Sequence, residues 1–327
     1  MTKIYKILIS AFALLFAWQV YAVSLSAPAD LALDVSPKSP RQGASFTVSA
    51  KSFSFDMVRA KFTWFLDGKN IVSGVGLKEQ NFQAERIGSS MNIRVNVISA
   101  DGVSYEAGTK LIISDIDFII YPLTYTPSFY RGSALATPGS IVEIIAVPHL
   151  FSEGARLKSQ NLIYEWSIDD KPFQNQSGGG KNKFSVKLAD VGNSNYIVAL
   201  KVSTLDGAVS AQKSVNLKTA MPEILFYETN SLTGLKPAAL NSFFGRAGDS
   251  FSILAEPFYF DLASLARAKF NWSAGGAAVA PNAKNPLLLE LAAPANTDSQ
   301  TSFNLKIEDS RALFQQAEAL INISASK

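Results

Sequence analysis

The sequence predicts an all-β chain of three tandem sandwich domains behind a removable leader, and three observations predict it. An aromatic-x-Trp pattern recurs at "FTWFLDG" (62–68), "YEWSIDD" (164–170) and "FNWSAGG" (270–276), placing Trp64, Trp166 and Trp272 at intervals of 102 and 106 residues. Each Trp is preceded by a Gly-led, β-prone run that ends in Phe: Gly43 to Phe55, Gly139 to Phe151 and Gly248 to Phe260. Each is followed by an alternating strand and a turn, "NIRVNVISADG", "YIVALKVSTLDG" and "SFNLKIEDS". Self-similarity at a fixed period marks a chain built from one repeated structural unit, and a period of about 100 residues is that of an ordinary domain.

The leader comes first. Residues 1–22, "MTKIYKILISAFALLFAWQVYA", begin with Lys3 and Lys6, continue as an apolar run from Ile7 to Trp18 and end Val20-x-Ala22. This is the pattern of a secretory signal peptide cleaved after Ala22. The run is shorter than the roughly 20 apolar residues that span a bilayer, so no transmembrane segment is expected after cleavage. The chain is expected to be exported and extracytoplasmic, whether periplasmic, cell-surface or secreted. It has no cysteine, which excludes disulfides, thiol catalysis, a lipid-modified Cys and Cys-ligated metal. Removing Lys3 and Lys6 takes the formal charge from +3 to +1 (3 − 2), and no basic run stands elsewhere, so no nucleic-acid partner is expected.

Domain one is expected over residues 30–115, domain two over 118–218 and domain three over 222–327. Period-two alternation puts Phe62, Trp64 and Leu66 on one strand face, Ile93, Val95 and Val97 on one face of a later strand, and Tyr164, Trp166 and Ile168 on another. Asp101-Gly102 and Asp206-Gly207 between apolar alternations suggest type I′ hairpins. Only "DLASLARAKF" (261–270) suggests a helical turn. The connections "ISDIDF" and "LKTAMPEI" are short and apolar, unlike Gly/Ser-rich tethers, so a semi-rigid rod is expected.

About seven short strands per 100 residues with a Trp on an early strand describe an immunoglobulin-like β-sandwich, in which that ring fills the space between two sheets about 10 Å apart. Trp64, Trp166 and Trp272 are therefore the expected structural core. The W-x-x-D-G stretch, the Gly-led strand and the terminal Asp-Gly hairpin resemble bacterial immunoglobulin-like and polycystic-kidney-disease-type (PKD) domains over nearly all of the chain after the leader. PKD domains usually carry a W-D-F-G-D-G-like run, where this chain has "WFLDGK", "WSIDDK" and "WSAGGA". The resemblance implies a non-enzymatic role in exported, surface or envelope proteins and supplies no catalytic residues.

Candidate chemistry is sparse. His149, the only histidine, falls in the repeat where Phe53 and Phe258 stand, which suggests a structural ring position. Asp115, Asp117, Asp169, Asp170, Glu308 and Asp309 could supply oxygens to an interdomain Ca²⁺, but such a site needs about six to eight of them. Turn and edge roles are the preferred reading, with no metal, cofactor or catalytic residue expected. "SGGGKNK" (177–183) lacks phosphate-loop spacing. Two insertions, 121–137 and 227–246, concentrate aromatics that domain one lacks: Tyr121, Tyr125, Phe129 and Tyr130, and Tyr227, Phe243 and Phe244. Loop aromatics offer contact area at low entropic cost, which makes these seven the candidate binding residues. The preferred reading is that each insertion folds back over the joint with the preceding domain or closes an edge strand. The expected function is a structural or adhesive envelope module whose partner is an envelope protein or a glycan. The alternatives are a carbohydrate-binding protein using the loop aromatics and a carboxylate-dependent hydrolase.

Overall fold

The structure, a computed structural model, describes residues 30–295 and 297–327; the leader assigned to residues 1–22 lies outside them. Strands supply almost all regular structure because the alternating runs are rich in Val, Ile, Phe and Thr, which fit a pleated, half-buried surface. The residues gather into two compact units. Among the described residues one comprises 30–38, 46–82 and 92–111, and the other 39–45, 83–91 and the described residues from 112 to 327.

The first sandwich has strands β1 (Ala32–Ser36), β2 (Ser45–Lys51), β3 (Lys61–Leu66), β4 (Lys69–Val75), β5 (Glu79–Gln83), β6 (Ser90–Ile98) and β7 (Ser104–Ile112). They form the sheets β1-β2-β5 and β4-β3-β6-β7.

The second sandwich has β8 (Asp115–Pro122), β9 (Ile141–His149), β10 (Phe151–Ser152), β11 (Ala155–Arg156), β12 (Ile163–Ile168), β13 (Lys171–Pro172), β14 (Gly178–Gly179), β15 (Lys183–Lys187), β16 (Asn195–Ser203) and β17 (Ser210–Lys218). Its sheets are β15-β9-β8 and β13-β12-β16-β17, with β14 beside β12 and β10-β11 a separate ribbon.

The third has β18 (Glu223–Asn230), β19 (Gly234–Leu240), β20 (Ser242–Arg246), β21 (Ser250–Phe258), β22 (Lys269–Ala274), β23 (Ala277–Val279), β24 (Leu288–Ala292), β25 (Ser299–Glu308) and β26 (Gln316–Ser326). Its sheets are β19-β18-β21-β24 and β20-β26-β25-β22-β23, with β20 parallel to β26. The helical hint after Asp261 is one turn, α1 (Leu262–Leu265), whose N-terminus is capped by the Asp261 carboxylate accepting from Ser264 N.

Each sandwich buries its Trp: Trp64, Trp166 and Trp272 are 0, 1 and 3 % exposed. A buried indole N–H needs an acceptor, and the same one recurs. Nε1 donates to the carbonyl of Leu77 at 2.8 Å, Lys181 at 3.0 Å and Pro286 at 2.8 Å. Around the rings pack Phe82 in the first sandwich, Phe118 and Phe184 in the second, and Phe226 in the third.

The turn after each Trp strand explains the residues found there. Asp67-Gly68, Asp169-Asp170 and Gly275-Gly276 all have positive φ at both positions (49° and 80°, 47° and 62°, 55° and 87°). Such a turn matches strand twist and selects Asp, Asn and Gly. Its first N–H donates to the neighbouring strand each time, at Asn92 O, Ile197 O and Ser302 O. The carboxylates of Asp67 and Asp169 also accept from Asn92 N and Ile197 N at 2.9 Å.

The type I′ expectation for Asp101-Gly102 and Asp206-Gly207 is corrected: only the glycines have positive φ, 84° and 71°. Their loops are longer than two residues, closed by Ser99 N to Val103 O and Thr204 N to Val209 O. Hydrogen bonds from the Ser99 and Thr204 hydroxyls hold the carboxyls of Asp101 and Asp206 below the usual carboxylate range.

Candidate functional site

The aromatic insertion at 121–137 is where the structure departs most from the sequence reading. It was expected to fold back over the preceding domain; instead it leaves β8 and packs on the third sandwich. Tyr125 N donates to Phe260 O and Tyr259 N to Tyr125 O, both at 2.7 Å, and Leu262 N donates to Leu123 O at 3.1 Å. Thr124 forms an antiparallel bridge with Asp261. The physical reason is where the arm leaves the sandwich. Ala220 N, just past β17, donates to Ala136 O, so the arm and the exit to the third sandwich share one end of the second, and the short connection brings the partner surface there.

Side chains complete the joint. Phe129 meets Tyr227 edge-on with ring centroids 5.0 Å apart, and Tyr130 meets Phe258 in the same way at 5.2 Å. The hydroxyls of Tyr130 and Tyr259 are 2.9 Å apart, and Tyr125 Oη donates to Glu256 Oε2 at 2.7 Å. Tyr227, Phe258, Tyr259 and Glu256 are all buried. Tyr259 has φ 64°, unusual for a bulky residue; this bend at the end of β21 turns its N–H toward Tyr125.

A second set of contacts locks the other side. Gln315 is fully buried; its Nε2 donates to Pro138 O at 2.6 Å and Thr137 Oγ1 at 3.0 Å, and its Oε1 accepts from Asp261 N at 2.7 Å. The Asp190 carboxylate accepts from Leu313 N and Phe314 N at 2.7 and 3.2 Å. A Cβ on Gly192 would sit 2.9 Å from the Phe314 ring, so any larger residue there would have to displace that ring.

The seven candidate aromatics therefore do not form one group. Tyr125, Phe129, Tyr130 and Tyr227 converge on the joint. Tyr121 stands apart on β8, 59 % exposed. Phe243 packs at a tilt against Phe251, with centroids 4.7 Å apart, beside the third sandwich's own core, and Phe244 is 79 % exposed. The 227–246 insertion becomes β19 and β20, closing both sheets of its own sandwich rather than covering a preceding joint. Sequence reasoning missed Glu256, Tyr259, Gln315 and Asp190. Only Glu256 left a signal, as a carboxylate in the strand position where the second repeat has Val147.

The other candidates have local partners. His149 does not share a ring position with Phe53 and Phe258: Phe53 is fully exposed and Phe258 buried, while His149 Nε2 lies 2.9 Å from Asp117 Oδ2. That bond, together with the nearby Lys213 ammonium, holds the Asp117 carboxyl below its ordinary range. Lys213 also approaches Asp115 at 3.9 Å. Asp169 and Asp170 form a turn. Glu308 pairs with Lys306 at 2.6 Å. Asp309 opens the turn after β25, its carbonyl accepting from Ala312 N and its carboxylate from Arg311 N, and it is also a buried ion-pair partner of Arg267 at 2.8 Å; burial pushes its carboxyl up, but bonds from Arg311 N and Arg267 hold it low. Among the described residues no three His, Asp or Glu side chains converge as metal ligands.

Electrostatics single out Glu256. Burial pushes its carboxyl above the ordinary range, opposed by the Tyr125 bond; burial and then that carboxylate push the Tyr125 phenol up. A carboxyl raised in the folded state favours folding when protonated. Its contribution is complete below the ordinary carboxyl value and is lost as pH rises through the raised one. Glu256→Gln keeps an acceptor for Tyr125 and removes the buried charge. It is expected to melt a few degrees higher than the parent at pH 8, with the gap closing toward pH 4; a pH-independent difference in calorimetry would contradict this.

No protein-family model matches the chain, and no curated protein matches it. Among solved structures it is similar to fibronectin(III)-like modules of Clostridium thermocellum CbhA, with 15 % identity and a TM-score of 0.28 over 58 % of this chain and 93 % of that one. It is also similar to Bacteroides ovatus SGBP-B in complex with a mixed-linkage heptasaccharide, with 12 % identity and a TM-score of 0.24 over 88 % and 65 % of the two chains. The three N-terminal domains of the bacteriophage RB49 outer capsid protein Hoc give 12 % identity and a TM-score of 0.26 over 91 % and 99 %. The chain's own sheets decide the fold. It is a tandem array of three immunoglobulin-like sandwiches.

Proposed function

We propose that the chain is a non-enzymatic, exported structural or adhesive module of a bacterial cell envelope or surface, holding a binding surface at a fixed distance. One observation carries the reading: the second and third sandwiches are joined by main-chain pairing, interlocked rings and the buried Gln315 amide rather than by a flexible linker. Interfaces between domains of one chain usually permit relative motion unless they are large and apolar, and aromatics inserted into a joint oppose that motion. Four of the seven candidate rings are thereby engaged in architecture. The export half of the proposal is supported by the basic, apolar and small-residue succession in residues 1–22.

The test is the joint itself. Phe129→Ala combined with Tyr130→Ala is expected to leave both sandwiches folded by circular dichroism while widening the distribution of interdomain angles in small-angle scattering. Unchanged scattering with loss of binding to an envelope fraction would make the arm a recognition loop instead.

A second reading, carbohydrate binding, is favoured by one feature. Phe244 stands on the rim of a hollow of about 390 Å³ that Asp298, Gln300 and Ser324 also line, and an exposed ring beside polar groups suits a sugar face. Calorimetric titration with oligosaccharides, repeated with Phe244→Ala, tests it; no saturable heat in the parent would remove it.

A further inference from the structure

The departure of the 121–137 arm leaves a gap in the second sandwich. In the third, the segment after β18 returns as β19 and pairs along the outer side of β18, with Phe226 opposite Leu240 and Tyr227 opposite Ala239. In the second, the segment after β8 goes to the neighbouring sandwich, and β8 pairs only with β9. The two strands correspond closely: Phe118 lies opposite Ala146 and against Trp166, as Phe226 lies opposite Ala255 and against Trp272.

The open stretch is apolar. Ile119, Ile120 and Tyr121 are 54, 36 and 59 % exposed, and Phe118 to Tyr121 contains neither charge nor proline. β8 carries its charges and its proline only at its ends, Asp115, Asp117 and Pro122, and Lys213 of β17 reaches Asp117 at 3.5 Å; the four residues between carry none. Charges and prolines on an edge discourage strand addition, and their absence invites it. Leu123 N donates to Ile141 O. By the alternation of an antiparallel ladder, Ile119 and Tyr121 therefore turn their main-chain groups to β9, whereas Phe118 and Ile120 turn theirs to the open side.

We propose that this edge is a self-association surface, at which a second copy of the chain adds its own β8 antiparallel to the first. A twofold axis at Ile119 fits the ladder. It pairs Phe118 with Ile120 of the other copy through the outward main-chain groups and sets Ile119 opposite Ile119. Asp117 falls opposite Tyr121, a carboxylate facing a phenol, so no like charges meet. Aromatic and β-branched cross-strand pairs are the stabilising ones, and an isologous twofold contact is the commonest way for one surface to satisfy itself. The product is a continuous sheet in the order β15-β9-β8-β8-β9-β15.

The absence of cysteine makes the test direct. Ile119→Cys in the full chain is expected to form a covalent dimer under mild oxidation about tenfold faster than Ile197→Cys, a comparably exposed control on β16. Sedimentation of the parent is expected to show a reversible monomer–dimer equilibrium. Ile120→Pro, which removes an outward N–H, and Ile119→Lys, which opposes two charges at the axis, are each expected to weaken it about tenfold or more with far-UV circular dichroism unchanged. A parent that stays monomeric to about millimolar concentration, an Ile119→Cys variant that crosslinks no faster than the control, or dimers that survive Ile119→Lys would each overturn the proposal.

Discussion

Replacing Trp166 with alanine is expected to cost about 3–5 kcal/mol, the usual penalty for deleting a large buried ring and leaving its cavity. The ring is stacked between Phe118 and Phe184, with centroids 5.9 and 5.0 Å away, and its N–H bonds to the loop at Lys181. The variant therefore loses packing on both sheets and a loop tether together. In calorimetry the second sandwich is expected to melt at least about 12 °C lower, and the third to follow by a smaller amount because it is packed on the arm that the second anchors. A thermogram identical to the parent's would mean that this ring is not a core element.

The second large effect is expected from a residue outside any core. Gln315→Ala strands three buried groups at once: the Asp261 amide, the Pro138 carbonyl and the Thr137 hydroxyl. Leaving one buried polar group unpaired costs about 1–3 kcal/mol. A total near ~3 kcal/mol is expected, since water relieves part of it. Gln315→Met, of similar size but without the amide, should be nearly as damaging. Chemical denaturation measures the loss, and faster hydrogen exchange at the Asp261 amide would locate it. If the methionine variant were as stable as the parent, the hydrogen bonds would contribute nothing and shape alone would hold the joint.

These two residues mark what a reader of the sequence could and could not obtain. Trp166 was legible because a sandwich repeats its alternation and places one large ring per unit, so burial follows from periodicity. Of the turn pairs after the Trp strands only Asp169-Asp170 was expected as a turn, although positive φ selects Asp and Gly at all three. Gln315 was not legible, because its partners lie 177 and 178 residues away in sequence and no local rule links a glutamine to a distant Pro carbonyl. The arm shows a third case. Its aromatics announced a contact, but composition carries no direction, and only the shared end of β8 and β17 sends it forward rather than back. His149 failed because a shared offset in a repeat was read as a shared environment, whereas the end of each strand is where the sandwiches differ.

The forward-reaching arm also imposes an order on how the chain can be completed. A polypeptide emerges from its N-terminus, so Phe129 and Tyr130 are made about a hundred residues before Tyr227 and Phe258 exist to receive them. At synthesis rates of about 5–20 residues per second, those rings wait at least several seconds without a partner while the second sandwich can already close around Trp166. During that interval the arm is open to proteases and to holding chaperones, and the last strands of the third sandwich end the exposure. Truncated chains ending near residue 218 should therefore be cut first within 123–127, a stretch that the finished protein pairs and largely covers.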